Sequence, residues 1–294
     1  MTGILAACRP PPSASGPTHG ATDSSRARIA RVTTKTIAIS GAAAGIGRAA
    51  ALRFASEGWT VGAFDVDEAG LKSLLDDADR LPGRVVTGTL DVRDAAQFKE
   101  RIDALAAETG RLDVLLNNAG ILLGEPFEEI ELEAHVREID INVKGVVHGL
   151  HAAFPHLKRT TGATVVNMAS ASSIYGQAGL SNYSATKFFV RGLTEGLDIE
   201  WKRHDIRVVD IWPLYVQTAM TDNLVTGSTT SMGVNLTTDD VVARIWQAVH
   251  PTAANRALHQ VHFAVGTPAR ALALGARFSP SWLTRAVNRR IAQH

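Results

Sequence analysis

From Lys35 to about Gly266 short apolar runs alternate with longer amphipathic stretches, and this alternation limits the fold more than any other feature of the chain. The runs are TKTIAIS, WTVGAFD, RVVTGTLDV, LDVLLNNAG, ATVVNMAS, IRVVDIWP and ALHQVHFAV. Each is rich in Val, Ile, Leu and Ala without a polar face, as strands covered on both sides must be. Between them lie stretches of about a dozen residues or more with helical periodicity. The alternation predicts an α/β fold: a doubly wound, mostly parallel seven-stranded sheet in a single domain over residues 34–266.

The first strand-to-helix junction is SGAAAGIGRAA, with Gly41, Gly45, Ile46 and Gly47 following the strand and opening a helix. Glycines there allow a tight turn and a close backbone approach to a pyrophosphate, whose charge faces the helix N-terminus. A glycine-rich turn packed against a strand would look the same, but this one stands in the required context. Asp65 ends the second run, 18 residues beyond Gly47, where an acid accepts hydrogen bonds from an adenosine ribose. The pair predicts dinucleotide binding. Asp91 and Val92 close the third run and place a carboxylate near an adenine amine. Asn117, Asn118, Ala119 and Gly120 end the fourth, small enough for a loop that passes close to a ligand. Turn chemistry alone also favours Asn and Gly at such places.

The stretch from Ser170 to Lys187 carries the reactive groups. Tyr183 and Lys187 are four apart, hence on one face of a helix. An ammonium there favours the phenolate and moves the tyrosine from its usual ~10 toward working pH. Ser170, 13 residues upstream, ends the fifth run, where open α/β sheets place ligands. Asn142 is polar within an apolar helical stretch, and a water chain toward Lys187 would satisfy it. His148, His151 and His156 share a helical stretch, but metal ligation needs more ligands of matching geometry, so no metal is expected.

Together these residues resemble the short-chain dehydrogenase/reductase family, over about Lys35 to Gly266. Ser40 to Gly47 is similar to its TGxxxGIG turn, with Ser40 for the usual Thr, and Asn117 to Gly120 matches its NNAG signature. Asn142, Ser170, Tyr183 and Lys187 fall at its catalytic tetrad. Pro213 to Thr218 resembles its PGxVxT segment, with Leu214 where Gly is usual, which puts the loop shape there in question. The resemblance implies a Rossmann-like fold, an NAD cofactor and hydride transfer between an alcohol and a ketone. It implies Tyr183 as general acid/base, Lys187 on the nicotinamide ribose, Ser170 on the substrate oxygen and Asn142 holding a relay water. Pro213, Val216 and Thr218 would contact the nicotinamide end. It also implies a homodimer or homotetramer, with the helices of Asn142 and Tyr183 paired across subunits. Asp65, with Ala44 and Val66 beside the turn instead of a basic residue, points to NAD over NADP.

A substrate largely apolar around its reacting carbon is expected, because Leu122, Leu123, Ile174, Tyr175, Leu180, Tyr215, Met220 and Leu224 flank the tetrad. The Thr/Ser/Gly-rich stretch 218–238 reads as a lid. Two rival readings stand. One is a non-catalytic cofactor-sensing protein that binds a partner, against which the complete tetrad argues. The other is a dehydratase or epimerase, against which the lack of an added substrate domain after Gly266 argues.

Charge and composition narrow the remaining classes. Residues 1–35 carry five basic groups against Asp23, and 267–294 carry five arginines and no acid. Subtracting those from the net +1 leaves −8 on residues 36–266, unlike the clustered basic face of a nucleic-acid binder. No apolar run approaches the ~20 residues of a membrane span. Cys8 is the only cysteine, which excludes an intrachain disulfide and suits the cytoplasm. The Pro/Ser/Ala-rich residues 1–33 read as a disordered extension rather than a signal or transit peptide. The basic segment 267–294 has an amphipathic pattern that suits a membrane surface, but a tail packed over the pocket or a neighbouring subunit fits it better.

Overall fold

The computed structural model describes residues 34–220 and 234–291. Seven strands form one sheet: β1 (Thr36–Ser40), β2 (Thr60–Asp65), β3 (Arg84–Thr89), β4 (Val114–Asn117), β5 (Thr164–Met168), β6 (Arg207–Trp212) and β7 (His262–Ala264). Their order is β3-β2-β1-β4-β5-β6-β7 and every adjacent pair is parallel. The order reverses between β1 and β4, which opens a crevice at their C-terminal ends. Each apolar run of the sequence contains one strand. The third strand stops at Thr89, so Asp91 and Val92 lie in the turn beyond it rather than closing it.

The helices are α1 (Gly45–Ser56), α2 (Glu68–Ala78), α3 (Ala95–Thr109), α4 (Leu132–Ile139), α5 (Gly145–Leu157), α6 (Ser181–Trp201), α7 (Thr238–Val249), α8 (Ala253–Ala257), α9 (Thr267–Phe278) and α10 (Ser281–Ile291). Two apolar layers sandwich the sheet, because alternate strand residues point to opposite faces. Ile37, Ile39, Val61 and Leu116 pack under Phe54 of α1 and Ile245 of α7. Ala38, Leu115, Val165 and Val208 pack under Phe98 of α3, Leu150 of α5 and Val190 of α6. Between α4 and α5 residues Asp140–Lys144 form a π-helical turn, a geometry rare in proteins and frequent at functional sites.

Of the two expected places for the C-terminal segment, over the pocket or on a neighbouring subunit, the single chain bears only on the first. Ala269 is buried and Leu272 and Ala273 pack on the sheet's second layer, and among the described residues none from α9 or α10 lines the crevice. Leu274, Phe278 and Trp282 stand exposed. The extension 1–33 and most of the expected lid, with Leu224, lie outside the described residues.

Candidate active site

The turn after β1 is built by close approach. Gly41 and Gly45 have φ of 68° and 53°, a region that penalises any side chain. A Cβ on Gly47 would lie 2.0 Å from the Gly41 carbonyl oxygen, so only glycine fits. Ser40, in place of the family's Thr, accepts from the backbone N–H groups of Asn118 at 3.1 Å and Ala119 at 3.2 Å. The Asn118 amide in turn donates to the carbonyls of Ser40 and Gly41, at 3.1 and 2.9 Å. The loops after β1 and β4 are thus one rigid unit.

Ala44, the residue before α1, offers no side chain to cap the helix, and the first turn holds no acid. The helix's uncapped N-terminus adjoins a cavity of about 590 Å³, with Gly41, Ala44, Gly45 and Ile46 forming part of the wall. That is the donor set an anionic pyrophosphate requires. Asp65 stands at the same wall, with one oxygen accepting from Ala43 N–H at 2.9 Å and the other from Asp67 N–H at 3.1 Å. The nearby cation Arg48 is turned away, donating to Gly70 O at 3.1 Å and to Asp77 at 2.6 Å. Asp91 is also at the wall, but its carboxylate pairs with Arg93, which holds its pKa below the ordinary range.

The tetrad candidates arrive from three elements. Asn142 comes from the π turn, Ser170 follows β5, and Tyr183 and Lys187 share a face of α6. Each is 9% exposed or less. Beneath them a chain of amides joins the layers: Asn117 donates to Asn167 at 2.9 Å, and Asn167 to Thr194 of α6 at 3.0 Å. Lys187 Nζ donates to the carbonyl of Met168 at 2.9 Å. Ser170 Oγ accepts from Ser172 N–H at 3.1 Å. Ser170, Tyr183 and Lys187 line the cavity together with Asn118, Ala119, Gly120, Pro213, Val216 and Thr218.

Two expectations about these groups need correction. Asn142 is satisfied by protein: it donates to Ile121 O at 2.8 Å and to Thr186 Oγ1 at 3.2 Å, and accepts from Ile121 N–H at 2.9 Å. No water chain is needed to pair its side chain. The phenol of Tyr183 is pushed up, not down. Burial is the main cause, a hydrogen bond with Ser170 works against it, and the Glu138 carboxylate adds to the rise. Lys187 is itself lowered to about 8 by burial. For Lys187 desolvation outweighs the opposing Glu138 charge, and for Tyr183 it outweighs the Ser170 hydrogen bond.

The apolar wall is partly as expected. Leu122, Tyr215 and Met220 line the cavity, whereas Ile174 and Tyr175 fill the core and Leu180 packs between Tyr183 and Tyr215. Leu123 does not reach the wall. Leu214, the replacement for Gly, forms part of the wall and packs on the core, so the loop accommodates it. Arg137, Ile141 and Gln177 also line the cavity, and sequence reasoning missed them. Ile141 directly precedes Asn142, and Arg137 lies one helical turn before it, a spacing that could have flagged both. Two of the three histidines do other work, His148 facing Val92 O at 2.9 Å and His156 facing Asp103 at 2.6 Å, while His151 is exposed. Among the described residues no group of three or more His, Cys, Asp or Glu is placed to hold a metal.

Comparison with known proteins agrees with this geometry. The model of the short chain dehydrogenase family matches residues 35–229. The 3-oxoacyl-(acyl-carrier-protein) reductase of Thermotoga maritima is 38% identical over 194 residues, 66% of this chain and 79% of that protein. The meso-2,3-butanediol dehydrogenase of Serratia marcescens is 34% identical over 193 residues, 65% of this chain and 75% of that one. The crystal structure of a 3-ketoacyl-(acyl-carrier-protein) reductase from Brucella melitensis, complexed with NADH, superposes with a TM-score of 0.71. It is 27% identical and covers 79% of this chain and 95% of its own. With a parallel sheet that reverses at a glycine turn and a matching family model, the chain belongs to the short-chain dehydrogenase family, whose members are NAD(P)-dependent oxidoreductases.

Proposed function

We propose that the protein interconverts a largely apolar secondary alcohol and its ketone, using NAD in preference to NADP. The observation that carries this is the placement of Tyr183 and Lys187, one helical turn apart, in the cavity that also holds the glycine turn and Asp65. Both relatives named above take their names from a ketone or a secondary alcohol.

The uncapped α1 N-terminus and the glycine turn would hold the pyrophosphate, and Asp65 the adenosine ribose hydroxyls. Pro213, Val216 and Thr218 would border the nicotinamide end. Bound NAD(H) supplies the hydride acceptor or donor. Tyr183 moves the accompanying proton: burial keeps the phenol protonated at neutral pH, the form that donates to a ketone oxygen. Ser170 offers a hydroxyl to the same oxygen, which polarises it. Lys187, held by Met168 O, supplies positive charge beside the phenol and a donor toward the ribose. A Cβ on Gly120 would lie 3.1 Å from Asn142 Oδ1 and 3.6 Å from Lys187 Nζ. Asn142 Oδ1 and Lys187 Nζ thus both lie close to Gly120, and a water bridging them would pass the proton onward.

The apolar stripe Leu132, Val136 and Ile139 of α4, with Val147 of α5, is exposed on one chain. A second copy seated on this stripe would bury it, which is the support for a homodimer or homotetramer. A cytoplasmic enzyme acting on a small molecule, not on nucleic acid, fits these features.

A panel of secondary alcohols with NAD, and ketones with NADH, followed by NADH absorbance, tests the reading. Turnover of at least one pair is expected, and none across the panel by well-folded protein overturns it.

A further inference from the structure

Glu138 of α4 is completely buried, and among the described residues no arginine or lysine forms an ion pair with it. Its two oxygens point in different directions. One accepts from the backbone N–H of Leu123 at 3.0 Å, and the other from the side-chain amide of Asn182 at 2.7 Å. The Asn182 amide also donates to the carbonyl of His135 at 3.2 Å. Leu123 belongs to the loop whose Ile121 and Leu122 line the cavity, and Asn182 immediately precedes Tyr183.

Both partners of the carboxylate are donors. A proton on either oxygen would therefore meet an N–H instead of an acceptor, so these two bonds favour the ionised form against burial, which raises the carboxyl's pKa. The charged and titratable groups around it are few. Lys187 and Tyr183 face it from α6, and His135 lies on its own helix. Tyr215 acts on Tyr183 from the segment after β6. In the π turn Asp140 and Lys144 are paired with each other at 2.6 Å. His135 directs Nε2 to Phe127 O at 3.0 Å, away from the carboxylate's two donors. Lys187 is thus the buried cation that Glu138 answers, and the other six lysines are exposed.

We propose that Glu138 is a positioning residue whose carboxylate ties the substrate-side loop to the helix of Tyr183 and is the buried counter-charge of the Lys187 ammonium. The role rests on the oxidoreductase reading of the site, but its electrostatic part can be measured without substrate. A negative charge beneath the pair stabilises the ammonium and disfavours the phenolate. Burial works against the ammonium, and Glu138 opposes burial. Removing the charge while keeping the shape should make Lys187 release its proton at lower pH.

The test uses the full chain labelled with [13Cε]-lysine, with the Lys187 signal assigned by its absence in Lys187→Ala. In the native protein this signal should titrate well below the exposed lysines. In Glu138→Gln its midpoint should fall by about one pH unit, the scale on which one neighbouring charge acts. Glu138→Met, of similar length and without hydrogen-bonding demands, should shift it in the same direction and stands in if the Gln variant fails to fold. With a substrate in hand, the alkaline limb of kcat/KM should move to lower pH by the same amount. A merely structural role would lower the rate at every pH and leave the limb in place. An unchanged Lys187 midpoint in either folded variant overturns the proposal, whatever the protein turns over. A shifted midpoint in a protein that turns over no alcohol or ketone would instead refute the assigned reaction.

Discussion

The ammonium of Lys187 lies 5.5 Å from the centre of the Tyr183 ring, one turn away on α6. Its bond to Met168 O fixes this pair against the end of β5, so sheet and helix jointly set the spacing. Such an arrangement has a cost that can be read in stability. Burial lowers Lys187 from 10.5 to about 8. Between those values the unfolded chain binds more protons than the folded one, so the stability contributed by this group rises with pH through that window. Below about pH 8 the folded chain bears the cost of a buried ammonium.

Lys187→Met combined with Glu138→Gln removes both buried charges and should therefore raise Tm at pH 7 by a few degrees while turnover collapses, a trade of activity for stability. Thermal melts of the two proteins at pH 7 and pH 10 measure it. The gap should narrow at the higher pH. A lower Tm for the variant at pH 7 would mean that the bond to Met168 outweighs desolvation.

Tyr183→Phe removes the transferable proton and keeps the ring that packs on Leu180 and Tyr215. Turnover should fall by about 10²–10⁴-fold or more. NADH affinity, read by fluorescence titration, should stay within a few-fold of the native value. Near-native turnover in the purified variant would remove Tyr183 from the mechanism.

Gly47→Ala puts a methyl group where the Gly41 carbonyl oxygen and Asn118 Nδ2 already stand, at 2.0 and 2.6 Å. The backbone of the turn must move, at about 1–3 kcal/mol. Urea unfolding should show that loss, and NADH binding should weaken with it because the same turn forms the cavity wall. Gly192→Ala, with open space at its Cβ on α6, is the matched control.

Much of this was legible before any coordinates, because it depended on local pattern. Continuous apolar runs marked all seven strands, and the glycine turn, Asp65, Ser170 and the Tyr183–Lys187 spacing marked the crevice. What stayed hidden depended on contacts between distant segments. Nothing in LEAHVREI says that Glu138 points inward, since its burial arises from Leu123 and Asn182 on two other elements. The direction of the Tyr183 shift is hidden from the sequence for a related reason: spacing reveals the neighbouring ammonium but not how dry the pair is. Likewise Ile174 and Tyr175 flank the tetrad in sequence, yet the chain turns them into the core.

Asp65→Ala should erode the preference for NAD over NADP. The carboxylate favours ribose hydroxyls and repels a 2′-phosphate, and Arg48, engaged with Gly70 and Asp77, is not free to compensate. The variant also loses the bond from Ala43 N–H, so both cofactors should bind more weakly. The informative quantity is the ratio of kcat/KM values, which should drop by roughly tenfold or more, equivalent to about 1.4 kcal/mol or more of charge repulsion. An unchanged ratio would remove Asp65 from cofactor selection, and equal use of both cofactors by the native enzyme would refute the preference itself.

Substrate preference is the sharpest test of the cavity wall. Near the tetrad it is made of Leu122, Ile141, Leu214, Tyr215 and Met220, with Gln177 as a polar neighbour. Gln177 is already engaged, accepting from Ser172 Oγ at 2.8 Å, which leaves apolar contact to grip the substrate's substituents. Each methylene buried there contributes about 0.8 kcal/mol, or about fourfold in kcat/KM. A homologous series of 2-alkanols should thus climb stepwise and then level off once the wall is filled. Enlarging the space with Leu122→Ala should move the plateau to longer chains and lower the rate on short ones. A flat series, or best activity on small polyhydroxylated alcohols, would reject an apolar pocket while leaving the chemistry of Tyr183 untouched.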